Sequence, residues 1–211
     1  MTPIKNIIFD FGGVICDLDF EKCARGLMNL GFPAEKLCKD FVTQGIFQRI
    51  NIGSAEPSEF WEELRRICGR PDVADATWLE VWNYVLAGIP PQRYHALKQL
   101  SQAHHLFLLS NISDPHWQYT LNHLVQFGEE NMLDWFDALF LSYKMHLEKP
   151  DRAIFKKVLD TTGVRLEETL FVDDREDNIA AARSVGLHSL QALGDEWIAR
   201  LVDKTLYWED F

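Results

Sequence analysis

Five short apolar runs alternate with longer amphipathic stretches, and that alternation limits the kind of sheet this chain can build. The runs fall at about 5–9 (KNIIF), 105–109 (HLFLL), 138–141 (ALFL), 168–172 (ETLFV) and 187–190 (LHSL). Each is brief and almost continuously apolar, as suits a parallel strand covered on both faces. Helical patterns occupy about 91–103, 114–126, 150–162 and 176–185. The third of these has Pro150 at its start and Gly163 just past its end, the usual asymmetry of helix termini. Strand and helix in turn predict an α/β fold around a central parallel sheet.

One gap breaks the rhythm. Residues about 20–87 carry no good strand and read as helices, with apolar residues three and four apart in "SEFWEELRRIC" and "TWLEVWNYVL". Pro57, Pro71, Pro90 and Pro91 punctuate them. The pattern predicts a small α-helical domain, residues 17–89, inserted after the first strand, with "GIPP" (88–91) as the return linker. Residues 1–16 and 90–211 then form the α/β domain. Trp61, Trp78, Trp82 and Tyr84 are expected to make the insertion's own core.

A length of 211 residues, 47% hydrophobic and 25% charged, suits one sizeable core or a core plus a small second domain. The formal charge of -11 repels nucleic acid and anionic membrane surfaces, so neither is an expected partner. A phosphorylated small molecule would be repelled too, unless a local cation or a metal received it. Cys16, Cys23, Cys38 and Cys68 form no CxxC pair, no export signal is present, and reduced thiols in a cytoplasmic protein are expected. The N-terminal apolar run is cut by Asp10 and is too short to span a bilayer. The pattern fixes no oligomeric state.

Three of the expected strands end on polar residues of a particular kind. The first ends at Asp10, the second at Ser110 and Asn111, the fourth at Asp173 and Asp174. In an open parallel sheet, ligands bind beyond the carboxyl ends of the strands. Three carboxylates crowded there repel one another, and a divalent cation removes that cost. Oxygen donors of this type suit magnesium, Mg2+. Singly, each of these residues also reads as a turn former or a helix cap. Gly12 and Gly13, directly after Asp10, permit a sharp turn and a close backbone approach to a ligand.

The order "FDFGGV", "LLSN", "EKP", "FVDDREDN" resembles the haloacid dehalogenase-like (HAD) superfamily, and the likeness covers the whole chain. The resemblance implies a Rossmann-like three-layer sandwich, with the helical insertion as a cap domain. It implies Asp10 as the nucleophile that takes a phosphoryl group as an aspartyl-phosphate. It also implies the Gly12 carbonyl and the Asp174 carboxylate as magnesium ligands beside Asp10, with Asp173 bound through a metal water. Ser110 and the Asn111 backbone NH would hold phosphoryl oxygens. Lys149 would neutralise charge on the phosphoryl group and on Asp10.

Position 12 departs from the family pattern. Most phosphatases of the superfamily carry a second aspartate there as general acid and base, and glycine cannot transfer a proton. A branch resembling bacterial sugar-phosphate phosphatases of the α-glucose-1-phosphate type also has glycine, and "FDFGGVICDLDF" is closer to it. Asp17 and Asp19 read as linker carboxylates or helix caps that could in principle supply the acid. His146 stands where the family often has glycine, and reads as a loop histidine that could face the cleft. Asn178 either holds a metal water or sits on a helix face, while Arg175 and Asp177 read as surface charges.

The expected function is a magnesium-dependent phosphatase of small phosphorylated metabolites, sugar phosphates first among them. A cap on two linkers, about 16–20 and 87–91, would open and close over the site. The alternative is a binding or regulatory protein on the same scaffold, which Gly12 favours. A dehalogenase would have no cation to neutralise Asp173 and Asp174. A phosphomutase usually uses the missing second aspartate.

Overall fold

The structure, a computed structural model, describes residues 2–37 and 44–211. In chain order its strands are β1 (Asn6–Phe9), β2 (Asp17–Leu18), β3 (Leu86–Gly88), β4 (His105–Ser110), β5 (Gln126–Phe127), β6 (Glu130–Asn131), β7 (Ala138–Leu141), β8 (Thr169–Asp173) and β9 (His188–Gln191). The central sheet runs β7-β4-β1-β8-β9, and every neighbouring pair in it is parallel. The near-continuous apolar runs follow from burial on both faces. Ile7, Phe9, Leu106, Leu108, Leu170 and Val172 belong to one apolar cluster. Ile8, Phe107, Leu109 and Phe171 belong to another. Successive side chains point to opposite faces, so one strand feeds both layers. Helices cover both faces, giving the Rossmann-like α/β sandwich.

The element boundaries differ where side chains compete with apolar pattern. β8 extends one residue to Asp173, which pairs with Gln191 of β9 and whose carbonyl accepts from Ala192 N at 2.9 Å. The helix expected at 150–162 starts at Arg152, because Asp151 caps it by accepting from Ala153 N. Pro150 precedes that helix rather than opening it. The helix expected to reach 126 stops at His123, and the small β5–β6 hairpin follows. The helix Glu196–Leu201 was not expected. It buries Trp197 edge-on against Phe9, ring centroids 5.1 Å apart.

Among the described residues, four α-helices lie between β2 and β3: Phe20–Asn29, Gly45–Asn51, Pro57–Cys68 and Asp75–Asn83. Cys38 falls outside the described residues. The stretches expected as plain linkers pair as a two-stranded antiparallel ribbon, Asp17 with Gly88 and Leu18 with Leu86. Aromatic rings fill the insertion, with Phe47 5.3 Å from Phe60 and Phe60 4.8 Å from Trp82. This core is not isolated, because one apolar cluster runs from the sheet into the insertion. Trp82 lies flat on His116 of the helix Asp114–His123, with centroids 4.9 Å apart and planes 8° apart. His116 Nε2 donates to the Trp82 carbonyl at 3.0 Å. On a second side, Ser142 Oγ donates to Asn51 O at 2.6 Å. Gly53 lies so close to Tyr143 that a Cβ there would sit 2.0 Å from the Tyr143 carbonyl oxygen.

His116 makes this contact sensitive to acid. Burial lowers its pKa from 6.5 to about 4, only partly offset by the Trp82 carbonyl. The unfolded chain takes up the proton first as pH falls, so the stabilisation is full above 6.5 and is lost as pH falls towards 4. The shift corresponds to roughly 3 kcal/mol. His116→Gln keeps a donor for the Trp82 carbonyl but does not titrate. Urea unfolding between pH 7 and pH 4.5 should show a smaller acid loss in the variant than in the wild type. Parallel decline of the two would remove His116 as the cause.

No helix among the described residues is long and apolar enough to cross a membrane.

Candidate active site

Asp10 follows β1 directly, and its backbone N donates to Val172 O of β8 at 2.9 Å. The chain then closes a tight turn. Phe11 N donates to Asp10 Oδ1 at 2.6 Å, Ile15 N and Cys16 N both donate to Phe11 O at 2.8 Å, and Gly13 N donates to Cys16 O at 2.8 Å. The Gly12 carbonyl accepts none of these bonds. Gly13 has φ +80°, and a Cβ there would lie 2.6 Å from Asp174 Oδ2, so only glycine fits. Gly12 is different: its φ is not positive, and a Cβ there would meet Leu18 Cδ1 at 3.0 Å. The sharp conformation belongs to Gly13 alone.

Lys149 is the hub. Its Nζ lies 2.9 Å from Asp10 Oδ1, 2.7 Å from Asp173 Oδ2 and 2.9 Å from the Leu109 carbonyl. An ammonium has three donors and all three are used. Burial works against the charge on Lys149, but Asp10 and Asp173 outweigh it and leave its pKa raised. Asp10 is pushed up to about 7, chiefly by burial and further by Asp173, against the pull of Lys149. Burial, then repulsion from Asp173, also raises Asp174. Removing any one charge therefore disturbs the others.

Ser110 is buried at the end of β4, next to the Leu109 carbonyl that Lys149 holds. Asn111 does something that the motif alone did not suggest. Its side chain clamps the Lys149 main chain, donating from Nδ2 to Lys149 O at 2.7 Å and accepting from Lys149 N at 2.8 Å. The peptide between Lys149 and Pro150 is cis.

One oxygen each from Asp10, Asp173 and Asp174 can lie within 4.8 Å of the others, a spacing that one cation can bridge. Asn178 belongs to the same cluster. Its Nδ2 donates to both Asp173 oxygens, at 3.0 and 3.1 Å, while its buried Oδ1 has no hydrogen-bond partner. Buried polar atoms are normally satisfied, so this orphan acceptor among carboxylates fits a site for a hard divalent ion and its water. Asp173 already accepts from Lys149, Asn178 and Arg175 N. Asp174 is less committed and only half buried. Arg175 pairs with Asp177 at 2.5 Å on the surface, as expected.

The structure thus brings Asp10, Lys149, Asp173 and Asp174 into one cluster at the carboxyl end of the sheet. Neither linker carboxylate joins them. Asp17 Oδ1 is bound by Arg93 Nη1 at 2.8 Å, and Asp19 caps the helix Phe20–Asn29 by accepting from Lys22 N. His146 is exposed and donates from Nδ1 to Ile52 O at 2.9 Å. The apolar Leu18 is the side chain that crowds Gly12. Arg93 was missed, because a lone arginine at the start of a helix gives no sign of being buried.

The sequence pattern of haloacid dehalogenase-like hydrolases matches residues 4–186. A D-ribitol-5-phosphate phosphatase of Bacteroides thetaiotaomicron is 32% identical over 199 residues, spanning 92% of this chain and 95% of that one. A crystal structure of a HAD family enzyme from the same organism, in complex with magnesium and inorganic phosphate, superposes with a TM-score of 0.85 at 32% identity, covering 92% of this chain and 97% of that one. A predicted HAD-like family hydrolase of Porphyromonas gingivalis gives a TM-score of 0.86 at 28% identity, covering 96% of this chain and all of the other (100%). With four spaced motifs, one continuous match and a shared fold in agreement, the chain belongs to the haloacid dehalogenase-like hydrolases.

Proposed function

We propose that this hydrolase is a magnesium-dependent phosphatase of small phosphorylated metabolites, with sugar and alditol phosphates as the substrate class. The observation that carries the reading is the Lys149 ammonium bridging Asp10 and Asp173, with Asp174 alongside. A carboxylate meeting a phosphate dianion needs nearby positive charge, and this cluster is built around one. The relative that acts on D-ribitol 5-phosphate, by its name, supports the substrate class.

In this reading Asp10 attacks phosphorus in line. A bond forms from the Asp10 carboxylate to phosphorus as the ester bond breaks, and the departing alkoxide takes a proton from solvent, which regains one when water cleaves the aspartyl-phosphate. Water then cleaves the aspartyl-phosphate and frees inorganic phosphate and Asp10. Lys149 holds the Asp10 carboxylate in line and offsets phosphoryl charge. Ser110 and the Asn111 backbone NH hold the remaining oxygens. Asp10, the Gly12 carbonyl and Asp174 would hold magnesium, with Asp173 and Asn178 orienting its water; the ion supplies charge neutralisation for the phosphoryl group. Asp17 and Asp19 are occupied elsewhere and stand outside the proton transfers.

The insertion, residues 17–89, acts as the cap, a reading that the contacts of Trp82 with His116 and of Gly53 with Tyr143 support. Cys16 and Cys23 fit a cytoplasmic enzyme as buried, unpaired thiols whose pKa burial raises to about 11. A second reading, a binding protein without turnover, is favoured by Leu18 crowding the place beside Gly12.

Phosphate release from a panel of sugar and alditol phosphates, with magnesium and with excess EDTA, separates the two. Turnover that needs magnesium is expected. A folded, magnesium-binding protein that releases no phosphate from any of them would give the ground to the binding reading. Undiminished turnover in EDTA would remove the metal from the mechanism.

A further inference from the structure

We propose that Arg93 is a positioning residue for the nucleophile turn, its buried guanidinium pinning the exit of that turn so that Asp10 and the Gly12 carbonyl stay aligned. The inference rests on the metal and nucleophile roles proposed above, and no motif of the chain contains this residue.

Arg93 sits in the first turn of the helix Pro91–Leu100, just after β3 returns from the insertion. Its side chain is only 4% exposed. Arginine is seldom buried so deeply unless each face of its fork is engaged. Its Nη1 donates to Ile15 O at 3.2 Å and meets Asp17 Oδ1 at 2.8 Å, while Nε meets Asp195 Oδ1 at 2.6 Å. Gln92 holds the other Asp195 oxygen at 2.8 Å. The guanidinium therefore links three segments: the exit of the turn, the first strand of the ribbon, and the stretch before the C-terminal helix Glu196–Leu201.

The turn is short enough to pass a displacement on. Between Asp10 and Ile15 the backbone is closed by the paired bonds to Phe11 O, and Cys16 O accepts from Gly13 N. Gly13 in turn lies against Asp174. Ile15 and Asp17, the two of its three partners that lie at the turn, flank Cys16. Freeing them loosens the Gly13–Cys16 bond first, and with it the position of Gly12 and the fit of Gly13 against Asp174. Ser110, which holds a phosphoryl oxygen in the proposed mechanism, and Lys149, which offsets its charge, lie on β4 and the loop before the helix Arg152–Thr162 and do not depend on Arg93.

The prediction is a split. Arg93→Met keeps most of the apolar volume and removes the fork. Calorimetric titration with magnesium alone should show affinity weakened about tenfold or more, as for other groups that orient ligands from behind. In steady-state assays kcat should fall about 10- to 100-fold with KM nearly unchanged, since the lost quantity is alignment. Arg93→Lys should recover melting temperature more than magnesium affinity, because an ammonium replaces the charge but not the fork. If Arg93→Met does not fold, Asp17→Asn and Asp195→Asn loosen the same hub from its exposed ends, and each should weaken magnesium binding. Wild-type magnesium affinity and kcat alongside a lowered melting temperature would overturn the proposal, as would unchanged magnesium affinity in both aspartate variants. Weakened magnesium binding in a protein whose wild type hydrolyses nothing would uphold the role of Arg93 and sink the phosphatase reading instead.

Discussion

Asp10→Asn is expected to abolish turnover and, at the same time, to raise the melting temperature of the metal-free protein at pH 8. The two effects share one cause. Asp10 is buried, and burial with repulsion from Asp173 pushes its pKa from 3.8 up to about 7. The native state therefore holds the Asp10 proton more tightly than the unfolded chain does. Its contribution to stability is full below 3.8 and is lost as pH rises through about 7, so at pH 8 the ionised group burdens the fold. Asparagine has the same shape and no charge. It keeps an acceptor for Phe11 N and Lys149 and removes the repulsion from Asp173. The stability gain should be clear at pH 8 and shrink towards pH 5, measured by thermal melts in EDTA. An amide is no nucleophile, and losing the nucleophile of a covalent mechanism costs on the order of 10⁴-fold or more in kcat. Turnover within tenfold of wild type would remove Asp10 from the bond-forming step. A lower melting temperature at pH 8 would mean that the ion pair with Lys149 outweighs the burial of Asp10.

The parallel sheet could be read in the sequence because both faces of it are buried. Leu106 to Leu109 and Leu170 to Val172 are apolar at every position, and in a short run that pattern has few other homes. Asp10, Ser110, Asp173 and Asp174 could be read because they stand at strand ends, where topology gathers segments distant in sequence, while Lys149, well past the end of β7, could be read only from the motif order. Other features left no such trace. The β2–β3 ribbon has two and three residues, too few for any periodicity to show. His116 and Trp82 stack across 34 positions, and nothing near either one marks the partner. Asn111 was expected to act through its backbone NH, and nothing in the motif marked its side chain as the clamp on the Lys149 main chain. Gly12 and Gly13 look alike in sequence, and only the folded chain separates the one that is forced by Asp174 from the one crowded by Leu18. Local pattern therefore located the site, and long-range pairing set how its parts are held.

Lys149→Met should lose both activity and stability, and so it tests the same cluster from the opposite side. The ammonium is 1% exposed and satisfies Asp10, Asp173 and the Leu109 carbonyl together. Methionine fills much of the same space but leaves two buried carboxylates facing each other with no cation. Breaking a buried pair from one side costs ~3–5 kcal/mol. For a chain of this size that is a fall of about 6–20 °C in melting temperature. Added magnesium should restore part of the loss, because an ion that binds only the folded state supplies charge where the lysine did. Activity should not return with it: the charge that the proposed mechanism has Lys149 aim at the phosphoryl group is worth ~3–4 kcal/mol of barrier, or about 10²- to 10³-fold in kcat. Arginine is a poor substitute, since a planar fork does not fit the gap that a compact ammonium fills. The decisive comparison is between the two variants in EDTA at pH 8, where Asp10→Asn should melt above the wild type and Lys149→Met below it. Should Lys149→Met melt with the wild type, the Lys149 ammonium would not be what holds the buried Asp10 and Asp173 together, and the electrostatic need for a cation between them would disappear.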